Sequence, residues 1–493
     1  MTERWLGMKK EAGRKELFES MPVGSALMTM AIPTIISQLI NLVYNMVDTI
    51  YIGRTGDAYK TAAVTLAFTI FMMTIALSNL FGIGGGSLMA RLSGSGKADR
   101  AKSVCAFSFY GAIGIAILYS LLVGFFLNPL LILLGASENT LAFARQYLIV
   151  VVVIGNVPVI LSAVAAHLLR NSGYSRQASI GLSGGGILNI LLDPLFMFVI
   201  LPKGQEVLGA ALATLIANTA ACIYLVLTLR RLSRESALSC SLQDMRRIRR
   251  EEVRELFSVG VPSAFLTGLF DLANIVLNSL MSGHGDLELA AIGIVMKAER
   301  LPNAINVGIC QGMLPIVAYN YSSGNHRRMQ DVIRTARIFG LCVSGVTLLM
   351  FEACSPWICR IFLSTKTGNA EAALTTIGLA VVFLRVRCLA SPLQFLNYNS
   401  SFYMQAVGYG SGTLMHACFR ELVFYIPFMY LFNSLAGTDG LVRALIAGEG
   451  CGAAFALFLI ARWNRKNLRP EWKRPQGREG ILLPVRRENG GKM

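Results

Sequence analysis

The sequence predicts an all-α polytopic membrane protein with twelve transmembrane helices. We expect two six-helix lobes, related by a pseudo-two-fold axis along the membrane normal. Three observations support this fold class: an apolar composition, basic residues that alternate between successive loops, and an internal repeat. Of the 493 residues, 54% are hydrophobic and 15% are charged, whereas a soluble protein carries roughly 25% charged residues. No segment alternates polar and apolar residues for long, which argues against a transmembrane barrel.

The apolar segments give the number of membrane crossings. A helix needs about 20 largely apolar residues to span a bilayer. Twelve segments meet this requirement: residues 25–50, 61–82, 104–127, 142–168, 178–201, 207–229, 256–281, 288–318, 333–361, 373–404, 411–433 and 440–462.

Basic residues predict the orientation of these segments. One set of loops and ends holds Arg91, Lys97, Arg100, Lys102, Arg170, Arg176, the dense run 230–254, Arg327, Arg328 and a basic tail at 462–492. The opposite set holds little more than Arg54, Lys60, Lys203, Arg360 and Lys366. Because cytoplasmic loops are enriched in Lys and Arg, the first set and both termini are predicted to be cytoplasmic. The charged start, "MTERWLGMKKEAGRKELFES", lacks the apolar region of a cleavable signal peptide, so we expect the first span to be retained.

The two halves of the chain repeat one pattern. "IPTIISQLINLVYNMVDTIYIGRTGD" aligns with "VPSAFLTGLFDLANIVLNSLMSGHGD", and Pro33 and Pro262 stand 229 residues apart, as do Asp57 and Asp286. Further matches pair Gly56 with Gly285, Gly96 with Gly324, and Gly173 with Gly408. Six spans per half give both halves the same orientation, with a cavity between them that suits alternating access. The predicted organisation is an N-terminal segment at 1–20, an N-lobe at 21–229, a basic linker at 230–255, a C-lobe at 256–462 and a basic tail at 463–493.

A carboxylate lies inside the predicted fifth span, in "NILLDPLFMF". Acids within a membrane span are costly and mark functional sites by default. Asn189 is one helical turn before Asp193, and Pro194 deprives the carbonyl of Ile190 of its helical partner and offers a hinge. These oxygens suit Na⁺, or the carboxylate can carry a proton. The alternative is a structural acid that is hydrogen-bonded to a neighbouring helix.

The first span carries a second acid, in "NLVYNMVDTIYIG". Asn41, Tyr44, Asn45 and Asp48 share one helical face, and a polar stripe within a span faces the protein interior. Asp48 is therefore a second candidate for cation coupling. Alternatively, it lies at the membrane interface, since Arg54 follows closely.

The second half has fewer acids at matching positions. Leu277 stands where the first half has Asp48, and Asp271 is the best candidate carboxylate in the seventh span. Arg385 and Arg387, at the opening of the tenth span, and Arg420 with Glu421, in the eleventh, could form ion pairs across helices or act as ligands.

Other readings of the sequence are weaker. "GIGGG" at 82–86 lacks the Lys and the strand context of a phosphate loop. The positive charge of +17 is confined to predicted loops and tail, so we expect no nucleic-acid partner. The ten Cys and four His show no spacing typical of disulfides or a metal cluster.

The segments "YNMVDTIYIG", "NILLDPLFMF" and "GMLPIVAYNYSSGN" together resemble the multidrug and toxic compound extrusion (MATE) family over residues 20–462. That resemblance implies drug export in exchange for Na⁺ or H⁺. It also implies a cation site in the N-lobe built from Tyr44, Asp48, Tyr147, Asn189, Asp193 and Thr214. Asp271 alone matches the acids that the NorM-like branch has in its second lobe, so the chain is more similar to the DinF-like and MepA-like branches.

The expected function is therefore a multidrug antiporter in a bacterial-type plasma membrane, with Asn41, Asn45 and Asp271 as weaker substrate candidates. We expect no cofactor besides the coupling ion, small organic molecules and membrane lipids as partners, and a monomer. Three alternatives stay open. A lipid-linked precursor flippase would line its cavity with cations, and few basic residues are predicted mid-span. An intramembrane aspartyl enzyme would use Asp48 and Asp193, but such enzymes carry a Gly beside one Asp. A channel would not export against a gradient.

Overall fold

The computed structural model describes residues 15–233, 236–362 and 370–468. Within these ranges the chain forms helices and short connections, without strands. Residues 1–14 of the predicted N-terminal segment, Lys366 and the basic tail from residue 469 onward lie outside the described residues.

The first half contains six membrane-crossing helices. They are α1 (Val23–Gly53), α2 (Ala58–Gly94), α3 (Ala98–Phe125), α4 (Glu138–Leu148 and Asn156–Asn171, joined by the π-helical stretch Ile149–Ile154), α5 (Ser175–Leu195, continued by the π-helical stretch Phe196–Ile200) and α6 (Glu206–Leu232). Two short helices, Leu127–Leu133 and Leu242–Arg246, lie in connections.

The second half also contains six. They are α7 (Arg250–Ser282), α8 (Asp286–Ser322), α9 (His326–Phe362), α10 (Ala370–Cys388 and Ser391–Ala406), α11 (Gly410–Cys418, the π-helical stretch Phe419–Tyr425 and residues 426–435) and α12 (residues 438–467).

The last two helices are separated by a break inside one continuous helical segment. The 58 residues of Gly410–Asn467 would extend about 87 Å as a straight helix, far beyond a bilayer core of about 30 Å. Ala436 and Gly437 interrupt the segment, and Gly437 has a φ of 56°. The described residues thus give the twelve crossings that the sequence predicts.

Several helices extend beyond their apolar segments, which corrects the assignment of two basic residues. Arg91 and Arg170 were expected in cytoplasmic loops, but Arg91 lies in the last turn of α2 and Arg170 in the last turn of α4, and both are buried. Arg91 remains inside because its guanidinium pairs with Glu255 at 2.9 Å and donates to the carbonyl of Gln405. A span predicted from hydropathy ends at its first charged residue, because hydropathy depends only on neighbouring residues in the sequence. It contains no information about partners from other helices.

The backbone repeats between the two halves. Each of the three glycine pairs found in the sequence has positive φ on both sides: Gly56 (70°) and Gly285 (144°), Gly96 (74°) and Gly324 (79°), and Gly173 (89°) and Gly408 (80°). Glycine tolerates this conformation because it lacks Cβ. The two parts of α4 meet at 51° and those of α10 at 49°, and both α5 and α11 contain π-helical stretches.

The lobes pack together through α1 against α8 and α2 against α7. Glycines make the closest contacts: a Cβ on Gly260 would lie 2.1 Å from the carbonyl oxygen of Leu80, and one on Gly312 would lie 2.6 Å from Cα of Ala31. These positions fall in the halves of the helices nearer the basic loops. The lobes are therefore closed toward the side predicted to be cytoplasmic.

Candidate functional site

Asp193 lies in the last turn of α5 and is fully buried. The Nδ2 atom of Asn189, one turn earlier on the same face, donates to Oδ1 of Asp193 at 3.2 Å. Pro194 follows within the helix, and α5 changes to π-helical geometry at Phe196–Ile200. Because proline has no backbone N–H, the regular hydrogen-bond ladder ends next to the buried acid.

Two other helices supply polar groups to this carboxylate. Nδ2 of Asn189 also lies 3.3 Å from the hydroxyl oxygen of Thr214, on α6. Tyr147, on α4, is buried and interacts with the Thr214 side chain. The structure therefore gathers Asn189, Asp193, Thr214 and Tyr147 from three helices around one point in the N-lobe.

The acid of the first span faces the same point. Asp48, on α1, lies close enough to Asp193 for their charges to interact, and Tyr44 is within electrostatic reach of both. Asp48 therefore faces the interior of the lobe. All six residues that the resemblance implies for the cation site lie together, and we call them the N-lobe acid cluster.

Three oxygen atoms of this cluster are buried without a hydrogen-bond partner: Oδ1 of Asp48, Oδ1 of Asn189 and Oδ2 of Asp193. Buried polar atoms almost always form a hydrogen bond, so these oxygens are candidates to accept a hydrogen bond from a bound group or to bind a cation. Carboxylate and amide oxygens are hard ligands that suit an alkali cation, and two neighbouring carboxylates can also share a proton. Among the described residues, no three His, Cys, Asp or Glu side chains form a metal site.

A cavity of about 350 Å³ adjoins the cluster between the lobes. The N-lobe lines most of it, and Thr267, Val307 and Gln311 line it from the C-lobe. Asn189 lines this cavity as well as bonding to Asp193. A substrate in the cavity and an ion at the cluster would therefore contact the same amide.

The three weaker substrate candidates fall in different places. Asn41 lines the cavity. Asn45 is outside the cavity lining and donates from Nδ2 to the carbonyl of Asn41 at 2.7 Å, within its own helix. Asp271 is also outside the lining, and its charge interacts with that of Arg300 on α8.

The basic residues of α10 and α11 form ion pairs across helices, which confirms the ion-pair interpretation. Arg387 binds both carboxylate oxygens of Glu299 at 2.8 Å, and Arg420 binds those of Glu449 at 2.6 and 3.0 Å. Arg387 does not open its span, because it lies beside the break in the middle of α10.

One observation corrects the interpretation of the C-lobe. Glu299 and Glu449 were missed, although each is an acid within an apolar span and that signal was available. Arg387 and Arg420, already noted in these spans, are both buried, and neither lines the cavity between the lobes.

Two repeated halves with one orientation, a cavity between them and a buried acid pair beside that cavity define a class of protein: a membrane transporter of the alternating-access type. A family model described as MatE matches the chain twice, over residues 33–195 and 262–431. These segments begin at Pro33 and Pro262, the first pair of the repeat. The chain belongs to the MATE family, as its motifs predicted, and is a transporter rather than an enzyme.

Relatives cover nearly the whole chain. It is 29% identical over 444 residues to the multidrug export protein MepA of Staphylococcus saprophyticus, covering 90% of this chain and 94% of the relative. It is 29% identical over 448 residues to MepA of Staphylococcus aureus, with the same coverage.

Solved structures show the same fold. A crystal structure of MATE in complex with MaL6 superposes with a TM-score of 0.85 at 23% identity, covering 93% of this chain and 99% of the other. The outward-facing conformation of a multidrug resistance MATE family transporter of the MOP superfamily gives a TM-score of 0.85 at 23% identity, with 92% and 98% covered.

Proposed function

We propose that the protein is a secondary active exporter of organic amphiphiles, often cationic ones, in exchange for H⁺ or Na⁺. The observation that carries this proposal is the position of Asn189, which contacts the buried acid Asp193 and also lines the inter-lobe cavity. The names of the staphylococcal relatives, multidrug export proteins, support the class of substrate.

The N-lobe acid cluster explains how ion and substrate binding are coupled. Two ionised carboxylates, Asp48 and Asp193, repel each other in a site removed from water, and a bound Na⁺ or H⁺ relieves that repulsion. An ion can change the balance of conformations only by binding one of them more tightly. Asn189 belongs both to the cluster and to the cavity wall, so ion binding at the cluster changes the surface that the substrate contacts. Binding of the ion therefore weakens binding of the substrate, and binding of the substrate weakens binding of the ion, as exchange requires.

Two structural features supply the movement. The lobes are closed on the side of the basic loops by glycine contacts such as Gly260 against Leu80, and these contacts separate when the cavity opens to the cytoplasm. The regular helix of α5 ends at Pro194, beside the acid, and proline is a common site of helix bending.

The expected setting follows the distribution of charge. The basic linker and both termini face the cytoplasm of a bacterial-type plasma membrane, by the positive-inside rule. The partners are small organic substrates and membrane lipids, the functional unit is a monomer, and nothing beyond the coupling ion is needed as a cofactor.

Purified protein in liposomes tests the proposal. Ethidium movement is followed by fluorescence while a Na⁺ gradient or a pH gradient is imposed separately, with protein-free liposomes as the control. Uphill ethidium movement driven by one of the two gradients is expected. Movement that only dissipates the ethidium gradient, whatever the ion gradient, would show a channel and overturn the proposal.

A further inference from the structure

The cavity between the lobes carries one positive charge and no negative one among the described residues that line it. Its polar lining consists of amides, hydroxyls, His167 and the guanidinium of Arg170. A cavity that selected substrates by positive charge alone would not place a guanidinium on its wall.

Arg170 differs from the other deeply buried arginines of the described chain. Arg91, Arg387 and Arg420 each pair with a glutamate at 2.6–2.9 Å. Arg170 is only 3% exposed, and none of the described acids forms an ion pair with it.

The guanidinium of Arg170 is also short of hydrogen-bond acceptors. Nη1 donates to Oε1 of Gln311 at 3.0 Å, while Nε is buried without a partner. Gln311 lies on α8, so this single bond crosses between the lobes, and its acceptor is also shared with Gln38 at 3.5 Å. A buried charge without a counter-ion is costly, and a guanidinium offers several further donors in a planar fork that fits a carboxylate.

The same cavity reaches the N-lobe acid cluster through Tyr44 and Asn189. One part of its wall therefore adjoins two carboxylates, and another part presents the unpaired guanidinium of Arg170. A molecule that is complementary to both carries a cationic group and an anionic group.

We propose that Arg170 is a substrate-binding residue that receives the carboxylate of zwitterionic amphiphiles. This inference rests on the proposed export function and names the substrate class within it. The carboxylate supplies the missing counter-ion and accepts the free N–H donors, and the cationic group of the substrate points toward the acid cluster.

Two dyes that differ in one group test the proposal. Tetramethylrhodamine has a free benzoate and is zwitterionic, whereas tetramethylrhodamine methyl ester is a cation of nearly the same shape. Binding of both dyes to purified protein in detergent is measured by fluorescence polarisation, and their efflux from proteoliposomes is measured under the driving gradient. The wild type is expected to bind the zwitterion about tenfold or more tightly than the ester, as charge-assisted hydrogen bonds imply.

Two variants separate binding from folding. Arg170→Gln should abolish the preference for the zwitterion while binding of the ester is kept, and Arg170→Lys, which keeps the charge, should retain part of the preference. Equal binding of both dyes by the wild type, or an equal loss of both in Arg170→Gln with the preference unchanged, would overturn the proposal. Failure of the wild type to move either dye uphill would instead contradict the export function, so the two failures are distinct.

Discussion

Replacing Gly260 with alanine should open the lobes on the cytoplasmic side. Gly260 lies on α7 where that helix meets α2, and the added Cβ would stand 2.1 Å from the carbonyl oxygen of Leu80 and 3.0 Å from its carbonyl carbon. Both atoms belong to the backbone of a long helix, so no side-chain rotation can relieve the clash. The helices would have to separate by about 1 Å to restore an ordinary C···O contact of about 3.3 Å.

The expected magnitude follows from the cost of overpacking. Inserting one methyl into a well-packed contact costs about 1–3 kcal/mol. Because this contact exists only when the cytoplasmic halves of the lobes are together, the cost falls on the closed state alone. That corresponds to a shift of roughly 5- to 150-fold in the equilibrium between closed and open states.

Distances between spin labels would measure this shift. In a variant without other cysteines, labels at Lys97 and Asn325, which are exposed on the predicted cytoplasmic ends of the two lobes, should give a longer distance in Gly260→Ala. Gly268→Ala on the same helix is the matched control, because its Cβ would meet nothing within 4 Å. Unchanged distances in Gly260→Ala, or the same change in the control, would refute the reasoning.

Three further predictions use other parts of the molecule. Pro194→Ala should leave expression unchanged and lower ion-driven transport several-fold, because the restored backbone hydrogen bond stiffens α5. Transport at the wild-type rate would show that bending at the proline is not needed for transport. In intact cells, an impermeant thiol reagent should label a cysteine at Lys203 but not one at Gln243, since the positive-inside rule puts the latter in the cytoplasm, and the reverse would overturn the orientation. Glu299→Gln should destabilise the protein by about 3–5 kcal/mol in a melting assay because it removes the carboxylate that pairs with the buried guanidinium of Arg387. Glu352→Gln, in a half-exposed pair, should cost less than about 1 kcal/mol, and equal losses would contradict this assignment.

Periodicity and hydropathy predicted the helices well, because each span must satisfy its backbone internally whatever its neighbours are. The break between α11 and α12 was also predictable, since residues 434–439 are less apolar than their flanks. The ends of the helices could not be predicted in this way. Arg170 follows an apolar segment just as a loop cation does, and only the packing of α4 against other helices shows that it lies inside.

The candidate site was predictable where rare residues marked it. Asp48 and Asp193 are conspicuous because carboxylates are scarce in membrane spans. Their meeting in space is a property of helix packing and not of either segment alone. Glu299 and Glu449 are also carboxylates within membrane spans. Their arginine partners lie 88 and 29 residues away in sequence, so no local spacing links each glutamate to its arginine.

The central claim is that the N-lobe acid cluster couples ion movement to export. Asp193→Asn tests it most directly, because the amide keeps the size of the side chain and cannot ionise. Ethidium binding and ion-driven efflux are measured on the purified variant in liposomes, beside Asp48→Asn and, as the matched control outside the cluster, Asp271→Asn. Asp193→Asn and Asp48→Asn should fold and bind ethidium but lose ion-driven efflux, while Asp271→Asn should lose much less. Efflux by Asp193→Asn at the wild-type rate, with the wild-type dependence on the ion gradient, would show that the cluster does not couple ion movement to export.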